Sequence, residues 1–187
     1  MGEQRTSPSS NLPEKIDPTL KVAVIFNAIV QPAKGEAIDR LAEAGVIDEV
    51  RATERALRQL GIQFRTIPVK GDIVDLVSDL KAYDPRVVIN LCESVFGESH
   101  LEMNIPCLLE LLRIPYTGSS SLALGLCQDK GLAKDVLTAN GIPTPKYRVI
   151  FSSEEEISGP SFPLMVKPLR EDASIGISKE SVVRGEA

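Results

Sequence analysis

Apolar runs alternate with helical stripes through the first part of the chain. Three runs rich in β-branched residues predict buried strands at residues 20–28, 62–69 and 86–91. Stripes at helical spacing predict helices over residues 48–60 and 72–83. The stripe residues are Val50, Thr53, Leu57 and Leu60 in the first helix, and Ile73, Leu76, Val77 and Leu80 in the second. This alternation predicts a parallel, doubly wound α/β sheet with right-handed crossovers.

The limits of the first helix are predicted from its end residues. Asp48 or Glu49 begins it, because a carboxylate complements the positive N-terminus of a helix. Gly61 ends it, as glycine commonly does. Residues 29–45, which precede this helix, are predicted to form a loop with some helical character.

The pattern changes in the second part of the chain. A third helix is predicted at residues 103–112, followed by a short strand and turn at 113–120. Residues 119–141 then predict two consecutive helices, and residues 142–150 predict a proline-led strand. This change predicts two domains, at residues 19–121 and 122–187, after a disordered tail at residues 1–18.

The segment FPLMVKPLREDASIGIS, residues 162–178, predicts a hairpin whose tip does not serve packing. Residues 162–166 form its first strand, Lys167 stands at the strand's end, and apolar residues resume at Ile175 and Ile177. Small residues in such a tip can aim backbone N–H groups at phosphate oxygens, and a lysine on a strand can add positive charge. An ordinary surface hairpin is the alternative interpretation of this segment alone.

A second candidate loop is predicted in the first half. Ligands of doubly wound sheets bind beyond the carboxyl ends of the strands. The stretch NLCESVFGES follows the third strand at such an end, and Glu93 is its candidate binding residue. A solvated loop glutamate is the alternative.

Composition narrows the function classes. A net charge of −5 argues against a nucleic-acid partner, and no apolar run approaches the ~20 residues that span a bilayer. The first residues lack the plan of a signal peptide, so we expect a cytoplasmic protein. The three cysteines form no CxxC pair and are expected to be reduced core thiols. His100, the only histidine, has no nucleophile motif beside it and is expected at the surface.

Three segments together resemble the D-alanine–D-alanine ligase family of ATP-grasp enzymes. They are LLELLRIPYTGSSSLALGLCQDK, GIPTP and FPLMVKPLREDASIGIS, and they occur in the family's order at about its spacing. The resemblance runs from about residue 21 to the end and is weakest over the first sixty residues. It implies a Rossmann-like domain preceding the ATP-grasp fold, followed by the first part of an α+β ATP-grasp domain.

The resemblance also implies the residues that would bind ATP. The lysine of VKP, here Lys167, and the lysine of QDK, here Lys130, correspond to phosphate contacts. The loop at residues 170–176 corresponds to the lid over the β- and γ-phosphates. The ATP-binding residues implied in this way are Lys130, Lys167, Arg170, Glu171, Ser174 and Gly176.

The substrate side departs from the family's pattern. FNAIVQPAKGE stands where the typical ligases carry a Gly-Gly-x-Ser-x-Glu segment, and Cys92-Glu93 replaces a His-Gly pair. DEV, which contains Glu49, and NLCES, which contains Glu93, resemble a looser group of ligase-like proteins. Glu49 and Glu93 are therefore the candidate substrate residues. In the phosphate loop, Asp172 and Ala173 replace a glycine and a serine of the family.

The implied activity is ATP-dependent ligation of a carboxylate to an amine through an acyl phosphate, with D-alanine favoured, as in peptidoglycan and cell-wall biosynthesis. In the family, the adenine hinge, an arginine and the Asp, Glu and Asn ligands of Mg²⁺ lie beyond the region that matches residue 187. This chain alone is therefore expected to be inactive. The alternatives are a non-catalytic nucleotide-binding or scaffold fragment, and a ligase for another amino acid or peptide. A plain flavodoxin-like binding module fits only the first half.

The resemblance also suggests homodimerisation through the first domain. The helix around Leu108–Leu112 could serve it, although core packing explains these leucines as well.

Overall fold

The computed structural model of the protein describes residues 17–28, 37–70, 72–155, 161–171, 174 and 176–185, with the backbone alone over 37–44. Two short 3₁₀ turns at Ser99–Leu101 and Lys179–Ser181 accompany the helices and strands. In chain order these are β1 (Lys21–Asn27), α1 (Ala37–Gln59), β2 (Gln63–Val69), α2 (Ile73–Tyr83), β3 (Val87–Leu91), α3 (Asn104–Leu111), α4 (Ser121–Gln128), α5 (Lys130–Ala139), β4 (Leu164–Met165) and β5 (Val182–Val183).

The first half forms the predicted parallel α/β sheet. Its strand order is β2-β1-β3, and β1 pairs in parallel with both neighbours. Side chains alternate along β1: Val22 and Val24 pack with Leu57 of α1 on one face, whereas Ala23 and Ile25 pack toward α2 and α3 on the other. Helices therefore cover both faces, which confirms the doubly wound arrangement.

The first helix starts much earlier than its predicted beginning at Asp48 or Glu49. It begins at Ala37, so both acids lie well inside the helix, away from its N-terminus. Residues 37–47 contain alanine, leucine, glutamate and arginine, which favour a helix and extend it without a cap at residue 48. The predicted stripe is buried at Val50 and Leu57, but Leu60 lies beyond the helix end and is 44% exposed.

The predicted short strand at residues 113–120 reduces to one parallel bridge at the sheet edge. Tyr116 bridges Val88 of β3, the Val88 N–H donates to the Pro115 carbonyl over 2.8 Å, and the Thr117 N–H donates to the Val88 carbonyl over 3.0 Å. This bridge lies beside β3 and leads the chain directly toward α4.

The proline-led strand predicted at residues 142–150 is wrong. The chain there forms neither helix nor strand, because Pro143 and Pro145 lack the N–H group that a strand ladder needs. The segment is instead held to α5 by side chains: Lys134 Nζ lies 2.8 Å from Thr144 Oγ1 and 2.9 Å from the Pro145 carbonyl.

The predicted hairpin is present, but its strands are shorter and differently placed. β4 has two residues rather than the five predicted at 162–166, and it pairs antiparallel with β5 through Leu164–Val183 and Met165–Val182. The second strand is therefore at β5, and Ile177 stands before it, whereas Ile175 lies outside the described residues. This small sheet is separate from the parallel one. The division into domains at residues 19–121 and 122–187 stays a prediction.

Candidate functional site

Two segments that are distant in sequence meet at the start of α5. The Lys130 N–H donates to the Leu169 carbonyl over 3.2 Å, and Lys130 Nζ donates to the Glu171 carbonyl over 2.5 Å. Arg170 Nε donates to Asp129 Oδ2 over 3.1 Å. Three of the predicted ATP residues, Lys130, Arg170 and Glu171, therefore lie together, although 40 positions separate Lys130 from Arg170 in the sequence.

Asp129 holds this meeting point from the helix side. It is the N-cap of α5, and its Oδ1 accepts the backbone N–H groups of Gly131 at 3.1 Å and Leu132 at 3.0 Å. The Leu132 N–H, first, and the Arg170 guanidinium hold the pKa of this carboxyl below its usual range, against the opposing effect of burial. Asp129 was not predicted as a site residue, although an Asp directly before a helix is a recognisable cap signal.

The first turn of α5 is packed closely against the segments around it. Gly131 is buried, and a Cβ at this position would lie 2.7 Å from Val149 Cγ2 and 3.6 Å from Leu169 Cδ1. No larger residue fits without movement of its neighbours. The lysine is thus carried on a turn whose backbone position is fixed by packing.

Lys167 lies two residues beyond the end of β4 and is exposed. Its ammonium makes no hydrogen bond or ion pair with any residue that the structure describes. A solvated ammonium on a flexible lysine side chain beyond a strand is able to bind an anion without first breaking a contact with those residues.

Two residues of the predicted phosphate loop have left-handed backbone. Ser174 has a φ of 63° and Gly176 a φ of 69°, and the Ile177 N–H donates to the Ser174 carbonyl over 3.1 Å. A Cβ at Gly176 would lie 2.9 Å from Pro168 Cγ, so both its φ and its surroundings require glycine. The replaced residues Asp172 and Ala173 lie outside the described part of the chain.

The loop after β3 reaches the same region from the first half. Ser99 Oγ donates to Glu171 Oε2 over 3.4 Å, and Gln128 Nε2 donates to the Ser99 carbonyl. Ser99 and Gln128 were not predicted as site residues. They connect the two halves at the end of α4 that leads into Asp129.

Glu93 lies where it was predicted, beyond the carboxyl end of β3. The Glu93 and Ser94 N–H groups donate to Asn27 Oδ1 over 2.7 and 3.1 Å, and Asn27 Nδ2 donates back to the Ser94 carbonyl. Since β2 and β3 lie on opposite sides of β1, the β1–β3 gap is the switch point of the sheet, where ligands of this fold bind. The side chain of Asn27 thus fixes the backbone that carries Glu93.

Glu49 is not brought to either group. It is exposed in the interior of α1 and makes no hydrogen bond or ion pair with another described residue. Its assignment to substrate binding stays a prediction without a contact that supports it.

The LLELLRIPYTGSSS motif has a structural centre at Glu110. Its carboxylate accepts the Tyr116 hydroxyl at 2.6 Å, the Ser121 N–H at 3.0 Å and the Ser121 hydroxyl at 2.7 Å. The Tyr116 hydroxyl is the main cause that lowers the pKa of Glu110, and the same bond raises the pKa of Tyr116 to about 12. This network joins the sheet edge to the start of α4.

Within the described ranges, no group of three or more His, Cys, Asp or Glu side chains is arranged to hold a metal ion. Among the same residues, no helix has the length and apolar character needed to cross a membrane.

The known proteins that match the chain include D-alanine–D-alanine ligases and an uncharacterised protein. The ligase of Pseudomonas entomophila is 34% identical over 131 residues, which are 68% of this chain and 39% of that protein. The ligase of a Polaromonas species is 37% identical over 145 residues, 73% of this chain and 41% of that protein. The uncharacterised protein of Sinorhizobium fredii is 38% identical over 91 residues, 49% of this chain and 27% of that protein. No family model matches the chain.

The fold is similar to that of a solved ligase. A D-alanine–D-alanine ligase from Bacillus anthracis superposes with a TM-score of 0.58 and 24% identity, covering 87% of this chain and 51% of that chain. A structure of the Bacillus anthracis ligase complexed with ATP gives a TM-score of 0.50 and 23% identity. The chain spans about 40% of the length of the ligases that match it in sequence. Over that part, the chain belongs to the D-alanine–D-alanine ligase-like ATP-grasp family.

Proposed function

We propose that the protein carries the nucleotide-phosphate side of an ATP-dependent carboxylate–amine ligase, with D-alanine as the favoured substrate. The observation that carries this proposal is the meeting of the QDK and VKPLRE segments at the N-terminus of α5. Each segment alone is unspecific. Their contact supports a shared task, and the sequence relatives support phosphate binding as that task.

The lysines would neutralise the charge of the phosphates. Lys167 is exposed without a described partner and would contact phosphate directly. Lys130 would exchange its hydrogen bond with the Glu171 carbonyl for one to a phosphate oxygen, which is charge-assisted and therefore stronger. Ser174 and the backbone amides near Gly176 would act as further donors, and the loop would exclude water from the phosphates.

The proposed reaction has two steps. The carboxylate of the first amino acid attacks the γ-phosphorus of ATP, forming an acyl phosphate and releasing ADP. The amine nitrogen of the second amino acid then attacks the acyl carbon, inorganic phosphate leaves, and the nitrogen loses a proton as the amide forms. Glu93, at the switch point of the parallel sheet, would contact the amino-acid substrate.

Mg²⁺ is expected in this chemistry, but the described residues offer no three-carboxylate cluster for it. No step of the proposed reaction is therefore assigned to a metal ligand of this chain.

A homodimer would use α3, where Leu111 is 77% exposed while Leu109 is fully buried. A cytoplasmic location fits a ligase that consumes ATP.

A second candidate is a nucleotide-binding or scaffold protein without turnover. It is favoured by one observation: FNAIVQPAKGE and Cys92-Glu93 replace the family's motifs on the substrate side. The 187-residue chain by itself is expected to release no phosphate from ATP.

One set of assays separates these candidates. Phosphate release is measured with ATP and D-alanine, first on the 187-residue chain and then on the product of the complete open reading frame. Ligation predicts release that depends on D-alanine in the second protein only, and mass spectrometry should detect D-alanyl-D-alanine. ATP binding without release in either protein supports the scaffold. Neither binding nor release in both proteins contradicts both candidates.

A further inference from the structure

We propose that Asp129 is a positioning residue that joins the first turn of α5 to the loop after β4, so that the Lys130 ammonium and the Arg170 guanidinium are held in one arrangement. The proposal rests on the proposed function and adds a residue that acts through the phosphate contacts rather than on the nucleotide itself.

The two carboxylate oxygens of Asp129 have different partners. Oδ1 accepts the N–H groups of Gly131 and Leu132, and thereby caps α5. Oδ2 accepts Arg170 Nε at 3.1 Å, outside the helix. The Asp129 side chain is 23% exposed and that of Arg170 is 65% exposed. A cap requires one oxygen only, so the second contact indicates a task beyond capping.

The residues around the Asp129–Arg170 contact make it important for the position of the loop relative to α5. Lys130 directly follows Asp129, and its backbone and side chain both donate to carbonyls of the loop that carries Arg170. The close approach of Gly131 to Val149 leaves the turn little freedom to shift. The Asp129–Arg170 pair therefore adds to the two hydrogen bonds by which Lys130 already joins α5 to the loop after β4. We expect its loss to free the loop while the helix stays packed.

The chain offers a matched control at α4. Ser120 caps that helix by accepting the Ala123 N–H at 3.3 Å, and it has no ion pair. Ser120→Ala therefore removes a cap without touching α5. At Asp129 the two tasks separate by substitution: Asp129→Ser keeps a good capping oxygen but cannot retain both contacts, and Asp129→Ala removes both.

The binding experiment uses the product of the complete open reading frame. ATP affinity is measured by calorimetry for the parent, Asp129→Ser, Arg170→Met and their double variant, with urea unfolding of each. We expect Asp129→Ser to bind ATP about tenfold more weakly with its unfolding midpoint nearly unchanged. The double variant should bind no more weakly than the weaker single variant, because both remove one pair. Ser120→Ala should lower the unfolding midpoint and leave ATP affinity unchanged. In turnover, KM for ATP should rise while kcat stays close to the parent's.

A second readout requires no nucleotide. Acetylation of Lys130 by acetic anhydride, followed by mass spectrometry, reports how firmly Nζ is held against the Glu171 carbonyl. It should be several-fold faster in Asp129→Ser, relative to exposed Lys81 of α2 as an internal reference. An unchanged Lys130 rate overturns the positioning role whatever ATP does. If the parent protein fails to bind ATP but Lys130 is still acetylated faster in Asp129→Ser than in the parent, the positioning role is kept and the proposed function is rejected.

Discussion

Gly131→Ala and Gly125→Ala form a matched pair that tests the packing beneath Lys130. A Cβ added at either position would meet its nearest neighbour at 2.7 Å. The neighbours differ in kind. At Gly131 it is Val149 Cγ2, on a stiff β-branched side chain, with Asp129 Oδ1 at 3.3 Å behind it; at Gly125 it is the sulfur of Met103, on a flexible one.

The same distance therefore predicts different stabilities. Overpacking against a rigid neighbour costs about 1–3 kcal/mol, and replacing glycine by alanine in a helix returns at most about 1 kcal/mol. Gly131→Ala should lower the free energy of unfolding by about 1 kcal/mol, within a range of about 0–2 kcal/mol on these terms. At Gly125 a shifted Met103 rotamer costs about 0.5–1.5 kcal/mol, which the helix gain offsets to within about 0.5 kcal/mol.

Urea unfolding followed by far-ultraviolet circular dichroism measures both variants, with the m-value checked against the parent so that a change in midpoint reports stability. Gly131→Ala should also weaken ATP binding, since its added methyl displaces the turn that carries Lys130. The reasoning is refuted if Gly131→Ala is as stable as Gly125→Ala.

Two further predictions concern the first half of the chain. Burial, and then the charge of Glu102, raise the pKa of the Cys92 thiol to about 12, whereas Cys127 is exposed. Iodoacetamide at pH 8 should therefore modify Cys127 in the native protein and Cys92 only after denaturation. Comparable rates of modification of the two thiols in the native protein, measured by mass spectrometry, would contradict this. The Thr66 hydroxyl, and secondly Arg58, lower the pKa of Glu54, so its contribution to stability is complete above its ordinary pKa near 4.5 and is lost as the pH falls through the lower folded value. Between pH 5 and pH 3, the free energy of unfolding of Glu54→Gln, measured in urea, should therefore fall less than that of the parent. An equal fall would show that the Glu54 carboxylate does not contribute to the pH dependence of stability.

The parallel sheet could be predicted because its pattern is local. The strands were predicted from apolar runs and α2 from a helical stripe, all of which lie within the residues of the element itself. The limits of β1, β2, β3 and α2 were each predicted to within a residue or two of those observed. The start of α1 was missed because helix-forming residues extend the helix upstream of the capping signal that was sought. The strand at residues 142–150 was predicted from residue type alone, whereas a strand also requires a partner to accept and donate its hydrogen bonds.

The candidate site could be proposed from the sequence only as far as its motifs reach, and the roles of its residues stay predictions. Lys130 and Lys167 stand out by their neighbours in sequence, and Glu93 by its position after a strand. Asp129 carries a capping signal that could have been recognised. The pairing of Asp129 with Arg170 could not, because it depends on a contact across the fold that no local pattern encodes. The hydrogen bond that the Glu93 N–H donates to Asn27 Oδ1 could not be predicted for the same reason.

The most direct test of the central claim is the ATP affinity of Lys167→Met in the product of the complete open reading frame. One charge-assisted hydrogen bond to phosphate contributes roughly 1.5–3 kcal/mol, so binding should weaken by about one to two orders of magnitude. The melting temperature should change little, because Met keeps the aliphatic stem and the ammonium has no partner among the described residues. Lys81→Met, on the exposed surface of α2, is the control and should bind ATP as the parent does. If calorimetry gives Lys167→Met the affinity of the parent, Lys167 binds no phosphate and the central claim is wrong.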